Sequence, residues 1–242
     1  IAEPVLASGG VIVPPKGYHK RCLEVCRKYD VLYISDEVVT AFGRLGHWFA
    51  SKEVFGIEPD IITCAKGLTS GYVPMGACII SDQIFNQISG ERSQGAEFSN
   101  GYTYSGHPVS SAAALKNIEI IENEGLLEHV RRISPYFQQR LQELGKLQLV
   151  GDTRGAGLVG CVECQINDPD SDHALEMDIA IGSRIDKHCQ EMGLIVRPLR
   201  NMCVFSPPLI ITKEQINEMF NILEQGILMA TEELSKEGLL KG

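Results

Sequence analysis

The chain has 242 residues, of which 44% are hydrophobic and 22% are charged, which is typical of a water-soluble protein with a sizeable core. Its formal net charge of −9 argues against nucleic acid or an anionic membrane surface as a partner. No apolar run is long enough to span a bilayer, and the first residues lack the pattern of a signal peptide. We therefore expect a cytoplasmic protein, whose natural start lies upstream because the chain does not begin with Met.

The eight cysteines are expected to be structural. Most lie inside apolar stretches, where a free Cys behaves as a small hydrophobic residue. Cys161 and Cys164 have the spacing of a metal-binding pair, but neither a second pair nor a histidine cluster accompanies them. We therefore predict reduced thiols and no metal site, as is usual in a reducing compartment.

The first half of the chain is organised around two apolar runs that each end in a charged residue. An amphipathic helix over Tyr18–Asp30 precedes them. Val31–Ser35 stops at Asp36, and Ile61–Ala65 stops at Lys66. Because the segment between the runs is long enough for a crossover, they are predicted to form parallel strands of one sheet.

The rest of the chain is predicted to continue as an α/β domain and then a small α+β domain, with the boundary after residue 146. The first domain would cover residues 1–146 and the second 147–242. Polar loops are expected over Ser89–Asn100, which should be mobile, and over Asn167–His173. The other predicted elements are strands at Ala77–Ile80, Gly155–Gln165, Leu194–Pro198 (ending near Arg197) and Met202–Ser206, and helices at Asp82–Ile88, Val109–Glu122, Leu126–Leu144, Ala174–Met192 and from the N-cap Thr212 to Leu234.

Asp36 and Lys66 are the candidate catalytic pair. Parallel strands present ligand-binding residues at their carboxyl ends, so both residues are predicted to face one crevice. A lysine there can form a Schiff base with an aldehyde cofactor, and an aspartate can hold the ring proton that makes a pyridinium an electron sink. The alternative is that each charged residue only marks the point where a strand reaches solvent.

A second candidate region is the small, hydroxyl-rich stretch that runs from Gly101 to Pro108. It precedes a predicted helix, and backbone amides with the Thr103 hydroxyl near a helix start are suited to bind phosphate. The alternative is an ordinary Ser/Thr helix cap. His107 is expected to be a structural turn residue.

These residues resemble the C-terminal portion of a class III, pyridoxal-phosphate-dependent aminotransferase of fold type I. The likeness is strongest to ω-aminotransferases that use pyruvate, and it spans nearly the whole chain. The matching stretches are Glu3-Pro4 with Gly9-Gly10, Pro14–Tyr18, Asp36–Val38, Phe42–Arg44, Lys66-Gly67, Tyr72–Ala77, Thr103–Pro108 and the segment around Arg197.

The resemblance implies a role for each matching residue. Lys66 would form the Schiff base with pyridoxal 5′-phosphate and then carry the proton, while Asp36 would pair with the ring nitrogen. Val38 would press on the ring face. Thr103 would bind the phosphate, usually that of the neighbouring subunit, which implies a homodimer.

The resemblance also assigns the substrate-binding residues. Arg197 would hold the substrate carboxylate, sometimes swinging aside to pair with Glu3. For Arg197 a surface position at a strand end is the alternative, and the nearby Arg200 could take its place.

The implied reaction is transfer of an amino group from an amine or ω-amino acid to an oxo acid such as pyruvate, by a ping-pong mechanism through pyridoxamine phosphate. Two alternatives stay open. A racemase or aminomutase on the same fold would also use Lys66 and Asp36. The chain also lacks the upstream segment that the resemblance leads us to expect, so alone it could be an inactive fragment that needs its N-terminal half or a partner chain.

Overall fold

A computed structural model describes residues 1–90, 95, 100–166 and 174–240. Its contacts group the chain into two units, Ile1–Val5 with Pro14–Glu128 and Leu6–Val13 with His129–Gly242. The predicted loop at Asn167–His173 lies outside the described residues, and so does most of the loop predicted at Ser89–Asn100. The domain boundary after residue 146 stays a prediction.

The first unit is a three-stranded sheet with helices. The chain order is α1 (Tyr18–Lys28), β1 (Ile34–Asp36), α2 (Ala50–Glu53), β2 (Ile61–Cys64), β3 (Ala77–Ile80), α3 (Asp82–Ile88) and α4 (Pro108–Asn123). β1 and β2 are parallel, as the crossover length predicts, and β3 runs antiparallel to β2.

β1 is shorter than the apolar run that predicts it. The run begins at Val31, but the strand begins at Ile34, and Val31 and Leu32 are half exposed. Pairing with β2 starts only at the Ile34–Ile61 register, so the first part of the run has no ladder partner there. The end of the strand is at Asp36, as predicted.

The core of the first unit lies under the loop that follows β1. Phe42 is buried and makes edge-to-face contacts with Trp48 and Phe49, with ring centroids 6.3 Å and 5.8 Å apart. Both rings pack against buried residues from β2 and α4, including Cys64 and Ala114. Trp48 and Phe49 are themselves half-buried and belong to this core.

The second unit is a four-stranded antiparallel sheet with helices packed on it. The chain order is α5 (Leu126–Glu143), β4 (Val150–Ala156), β5 (Val159–Cys164), α6 (Ala174–Glu191), β6 (Arg197–Leu199), β7 (Met202–Phe205) and α7 (Lys213–Lys236). The order of the strands in the sheet is β4-β5-β7-β6. The largest buried side chains include Phe137 from α5 and Phe220 from α7, whose ring centroids are 5.2 Å apart.

Two predicted strands of this unit are corrected. The stretch Gly155–Gln165 contains the end of β4, a turn, and β5, so it is a hairpin and not one strand. The strand predicted at Leu194–Pro198 begins at Arg197 instead of ending there. Its bounds follow from its partner: Arg197 pairs with Val204 and Leu199 with Met202 in a tight hairpin, while Ile195 is 87% exposed.

The start of α7 matches its local signal. The Thr212 hydroxyl accepts the Gln215 amide, and the Gln215 side chain accepts the Thr212 amide, which completes a capping box. Within the described ranges, no helix combines the length and the apolar character that a bilayer crossing requires.

Candidate active site

Asp36 lies at the carboxyl end of β1, and hydrogen bonds hold both its backbone and its side chain. Its backbone amide donates to the Ala2 carbonyl at 2.9 Å, and its carboxylate Oδ1 accepts the Val38 amide at 3.1 Å. In the parallel ladder, Asp36 is the register partner of Thr63. The side chains of register partners project to the same face of a sheet, so the half-buried Asp36 shares its face with Thr63.

Glu37, a residue with no role predicted from the sequence, anchors this strand end. It is fully buried, and its carboxylate accepts the Ala50 and Ser51 amides at 2.7 Å each. The hydroxyls of Ser51 and Thr40 donate to it at 2.5 and 2.8 Å. Its own amide donates to the Thr63 carbonyl at 2.8 Å. These bonds fix the backbone directly after Asp36. The only sequence signal was a second acidic residue at the end of an apolar run.

Lys66 opens a tight turn at the carboxyl end of β2. The turn is a 3-10 helix over Lys66–Thr69, and it closes with a hydrogen bond of 3.1 Å from the Gly71 amide to the Lys66 carbonyl. Lys66 has a left-handed backbone, with φ of 36°, and its side chain is exposed. β1 and β2 are parallel neighbours, so Asp36 and Lys66 follow the same ends of adjacent strands.

Gly67 lets this turn lie against the loop after β1. A Cβ atom there would be 3.0 Å from Phe42 Cβ and 3.4 Å from the Ala41 carbonyl oxygen. On the other side, the Asn117 side-chain amide of α4 donates to the carbonyls of Gly67 and Leu68, at 2.8 and 3.1 Å. Asn117 could not be predicted as a site residue, because a single Asn inside a helix carries no local signal.

Thr103 lies in an exposed turn before α4. The neighbouring Tyr102 and Tyr104 are 86% and 80% exposed, and the Tyr102 amide donates to the Ser105 hydroxyl at 2.7 Å. The N-cap of α4 is His107, whose side chain makes no capping bond. A Thr103 cap, the alternative interpretation of this stretch, is therefore not what begins the helix.

The remaining candidates lie in different units. Glu3 and Val38, both half-buried, belong to the first unit, as Asp36, Lys66 and Thr103 do. Arg197 belongs to the second unit, where it is exposed at the start of β6. Arg200, also exposed, lies in the β6–β7 turn with φ of 59°.

Solved structures of transaminases share this fold. An ω-aminotransferase from Paracoccus denitrificans superposes with a TM-score of 0.88 at 39% identity, covering 96% of this chain and 51% of that one. A PLP-bound aminotransferase mutant from Vibrio fluvialis has a TM-score of 0.87 at 39% identity, with the same coverage. The fold is that of the fold type I pyridoxal-phosphate-dependent transferases.

Sequence comparison identifies the family. The family model for class-III aminotransferases matches residues 1–227, and the chain belongs to this family. Putrescine–pyruvate aminotransferase of Pseudomonas aeruginosa is 44% identical over 223 residues, 92% of this chain and 47% of that protein. Mitochondrial gamma-aminobutyrate transaminase 1 of Solanum lycopersicum is 40% identical over 222 residues, 92% of this chain and 43% of its own. The chain spans about half the length of the curated relatives that it matches.

Proposed function

We propose that the protein transfers an amino group from an amine or ω-amino acid to an oxo acid such as pyruvate, with pyridoxal 5′-phosphate as cofactor. The observation that carries the proposal is the placement of Asp36 and Lys66 after adjacent parallel strands in a chain of the class-III aminotransferase family. The relatives named for putrescine, pyruvate and gamma-aminobutyrate support this substrate class.

The described residues fit this cofactor. The Lys66 side chain is exposed at the strand end, where its amine can react with an aldehyde. The Thr63 hydroxyl, next to Asp36 in register, is buried without a hydrogen-bond partner in the described part of the chain. A buried hydroxyl left unpaired is costly, which favours a polar group that completes the site.

Each residue has a distinct task in the proposed reaction. Pyridoxal phosphate, when bound, supplies an electron sink for the reacting carbon. The Lys66 amine would hold the cofactor covalently and, once released, would carry the proton of the reacting carbon. The Asp36 carboxylate would keep the ring nitrogen protonated, because an anion favours the charged form of its partner. Val38 would pack against the ring.

Binding of phosphate and substrate is assigned to residues at the surface. The Thr103 hydroxyl binds the cofactor phosphate, and the exposed Tyr102 and Tyr104 beside it suit a surface that a second subunit covers. Arg197 receives the substrate carboxylate. The proposal includes a cytoplasmic homodimer and a domain boundary near residue 146.

The test is nitrogen transfer. Protein loaded with cofactor is given ¹⁵N-labelled putrescine or gamma-aminobutyrate with pyruvate, and alanine is analysed by mass spectrometry. We expect the wild-type protein to form ¹⁵N-alanine and Lys66→Ala to form none. The rate of ¹⁵N-alanine formation should fall roughly 10²-fold or more in Asp36→Asn. It should keep its wild-type value in Lys52→Ala, which changes a matched exposed lysine.

The other outcomes separate the alternatives. No labelled alanine from protein that still binds cofactor on Lys66 would contradict transamination and favour a racemase or aminomutase. Neither alanine nor bound cofactor would mean that these 242 residues do not build the site without further chain.

A further inference from the structure

The turn that carries Lys66 has an unusual backbone. Lys66 and Ser70 have φ values of 36° and 52°, in the left-handed region that residues with a side chain rarely adopt. Such conformations persist only where surrounding contacts hold them, and they are concentrated at functional sites. The contacts that hold this turn therefore bear on where the Lys66 amine points.

Asn117 supplies contacts of this kind. Its side-chain nitrogen lies 2.8 Å from the Gly67 carbonyl oxygen and 3.1 Å from that of Leu68. Both partners only accept, so the amide nitrogen, which has two N–H groups, must be the atom that faces them. Phe42 also borders the turn, because a Cβ atom on Gly67 would be only 3.0 Å from the Phe42 Cβ.

We propose that Asn117 is a positioning residue for Lys66. Its side-chain amide donates to the carbonyls of Gly67 and Leu68, which follow the lysine. These bonds fix the left-handed backbone of the turn, and with it the direction in which the Lys66 side chain projects from the end of β2. Asn117 lies on α4, which begins at Pro108 directly after the Thr103 turn, so one helix connects the two candidate cofactor-binding stretches. The catalytic consequence rests on the proposed function, whereas the hold on the turn does not.

Two substitutions separate hydrogen bonding from packing. Asn117→Asp keeps the shape but replaces the donor with a carboxylate that repels carbonyl oxygens, while Asn117→Ala removes both shape and donor. If donation matters, Asp is at least as damaging as Ala; if only packing matters, Asp is nearly neutral. Asn123→Asp is the matched control, an exposed residue at the last position of the same helix, where added negative charge disfavours the helix without contacting the turn.

The first readout is hydrogen exchange of the amides of Leu68, Ser70 and Gly71, which are bonded within the turn. We expect exchange to rise about tenfold or more in Asn117→Asp and Asn117→Ala, and to be unchanged in Asn123→Asp. Unchanged exchange in Asn117→Asp would overturn the proposal, whatever the protein catalyses.

The second readout is the fraction of pyridoxal phosphate that borohydride fixes on Lys66 relative to Lys52. We expect this ratio to fall in Asn117→Asp and to keep its wild-type value in Asn123→Asp. A wild-type ratio together with raised exchange would overturn the positioning of the amine. If the wild-type protein itself forms no Lys66 adduct, these residues alone do not build the proposed cofactor site, and the exchange measurement still decides the role of Asn117.

Discussion

Asp36 and Thr63 are register partners in the parallel ladder between β1 and β2, and Lys66 follows Thr63 in the turn that ends β2. Glu37 fixes this ladder end, because its carboxylate accepts four hydrogen bonds from Thr40, Ala50 and Ser51. The ladder and the turn after it thus place a carboxylate, a lysine and a hydroxyl that has no partner among the described residues at one end of the sheet.

Thr63→Val tests whether the Thr63 hydroxyl forms a hydrogen bond with the cofactor. Valine has the same shape, so the change removes an unsatisfied buried polar group, and the cofactor-free chain should be unchanged or about 1 kcal/mol more stable. Added pyridoxal phosphate should raise the unfolding temperature less in Thr63→Val than in the wild type. In Thr63→Ser, which keeps the hydroxyl, the cofactor should raise the unfolding temperature as much as it does in the wild type. A destabilised cofactor-free Thr63→Val protein would contradict this view.

Glu37→Gln should destabilise the first unit by about 2–4 kcal/mol, because an amide cannot accept all the bonds that the buried carboxylate accepts. Trp48, the single tryptophan of the chain, packs in this unit, so its fluorescence during urea unfolding reports the decrease in the free energy of unfolding. Glu24→Gln is the control, since Glu24 is an exposed partner of Arg21 and should cost less than about 1 kcal/mol. Equal effects of the two changes would show that the network does not anchor the strand end.

Gly182→Ala should damage the second unit. A Cβ atom at Gly182 in α6 would lie 1.7 Å from the backbone oxygen of Arg200, in the hairpin that carries Arg197. Backbone must shift to relieve this overlap, so we expect a loss of about 3 kcal/mol in urea unfolding followed by circular dichroism. Gly145→Ala, whose Cβ would meet nothing closer than 3.7 Å, should change stability little. A tolerated Gly182→Ala would contradict the close helix–hairpin approach.

Local signals predicted the parts of the fold that local contacts determine. The N-cap Thr212 of α7 acts within one helical turn, and its position was predicted correctly from the sequence. The start of β6 was wrong because the ladder with β7, and not the apolar run Leu194–Val196, decides where that strand begins. Helix α1 begins at Tyr18 as predicted, but it ends at Lys28 and not at Asp30. Tyr29, the residue after its last turn, is 65% exposed, since an amphipathic pattern does not say which element covers an apolar side chain.

The candidate site divides in the same way. Asp36 and Lys66 could be found because each directly follows an apolar run in the sequence. Glu37 and Asn117 could not, because their partners become neighbours only in the fold: Ser51 for the first and Gly67 for the second. A side chain that supports a site residue from a distant element produces no regular spacing in the sequence, so it cannot be predicted from local patterns.

The reactivity of the cysteines should follow their burial. Burial raises the pKa of Cys161 and Cys189 to about 11 and that of Cys164 to about 12, and it raises the pKa of Cys203 well above the ordinary thiol range. At pH 8, iodoacetamide should therefore modify the exposed Cys78 quickly and these four only after unfolding.

The same thiols should make the second unit sensitive to alkali. Folding favours their neutral form, so their contribution is fully present below the unfolded pKa, near 9, and is lost as pH rises toward 11 and 12. Urea unfolding followed by circular dichroism between pH 8 and 11 should show falling stability of this unit. Rapid modification of all eight cysteines in the folded protein would contradict the burial of these thiols.

The most direct test of the central claim is to find where pyridoxal phosphate attaches. Protein incubated with the cofactor is reduced with borohydride, digested, and mapped by mass spectrometry, with Lys66→Arg and Lys52→Arg in parallel. We predict one dominant adduct on Lys66, absent from Lys66→Arg and unchanged in Lys52→Arg. An adduct spread over surface lysines, or one that persists in Lys66→Arg, would contradict a catalytic site at the ends of β1 and β2.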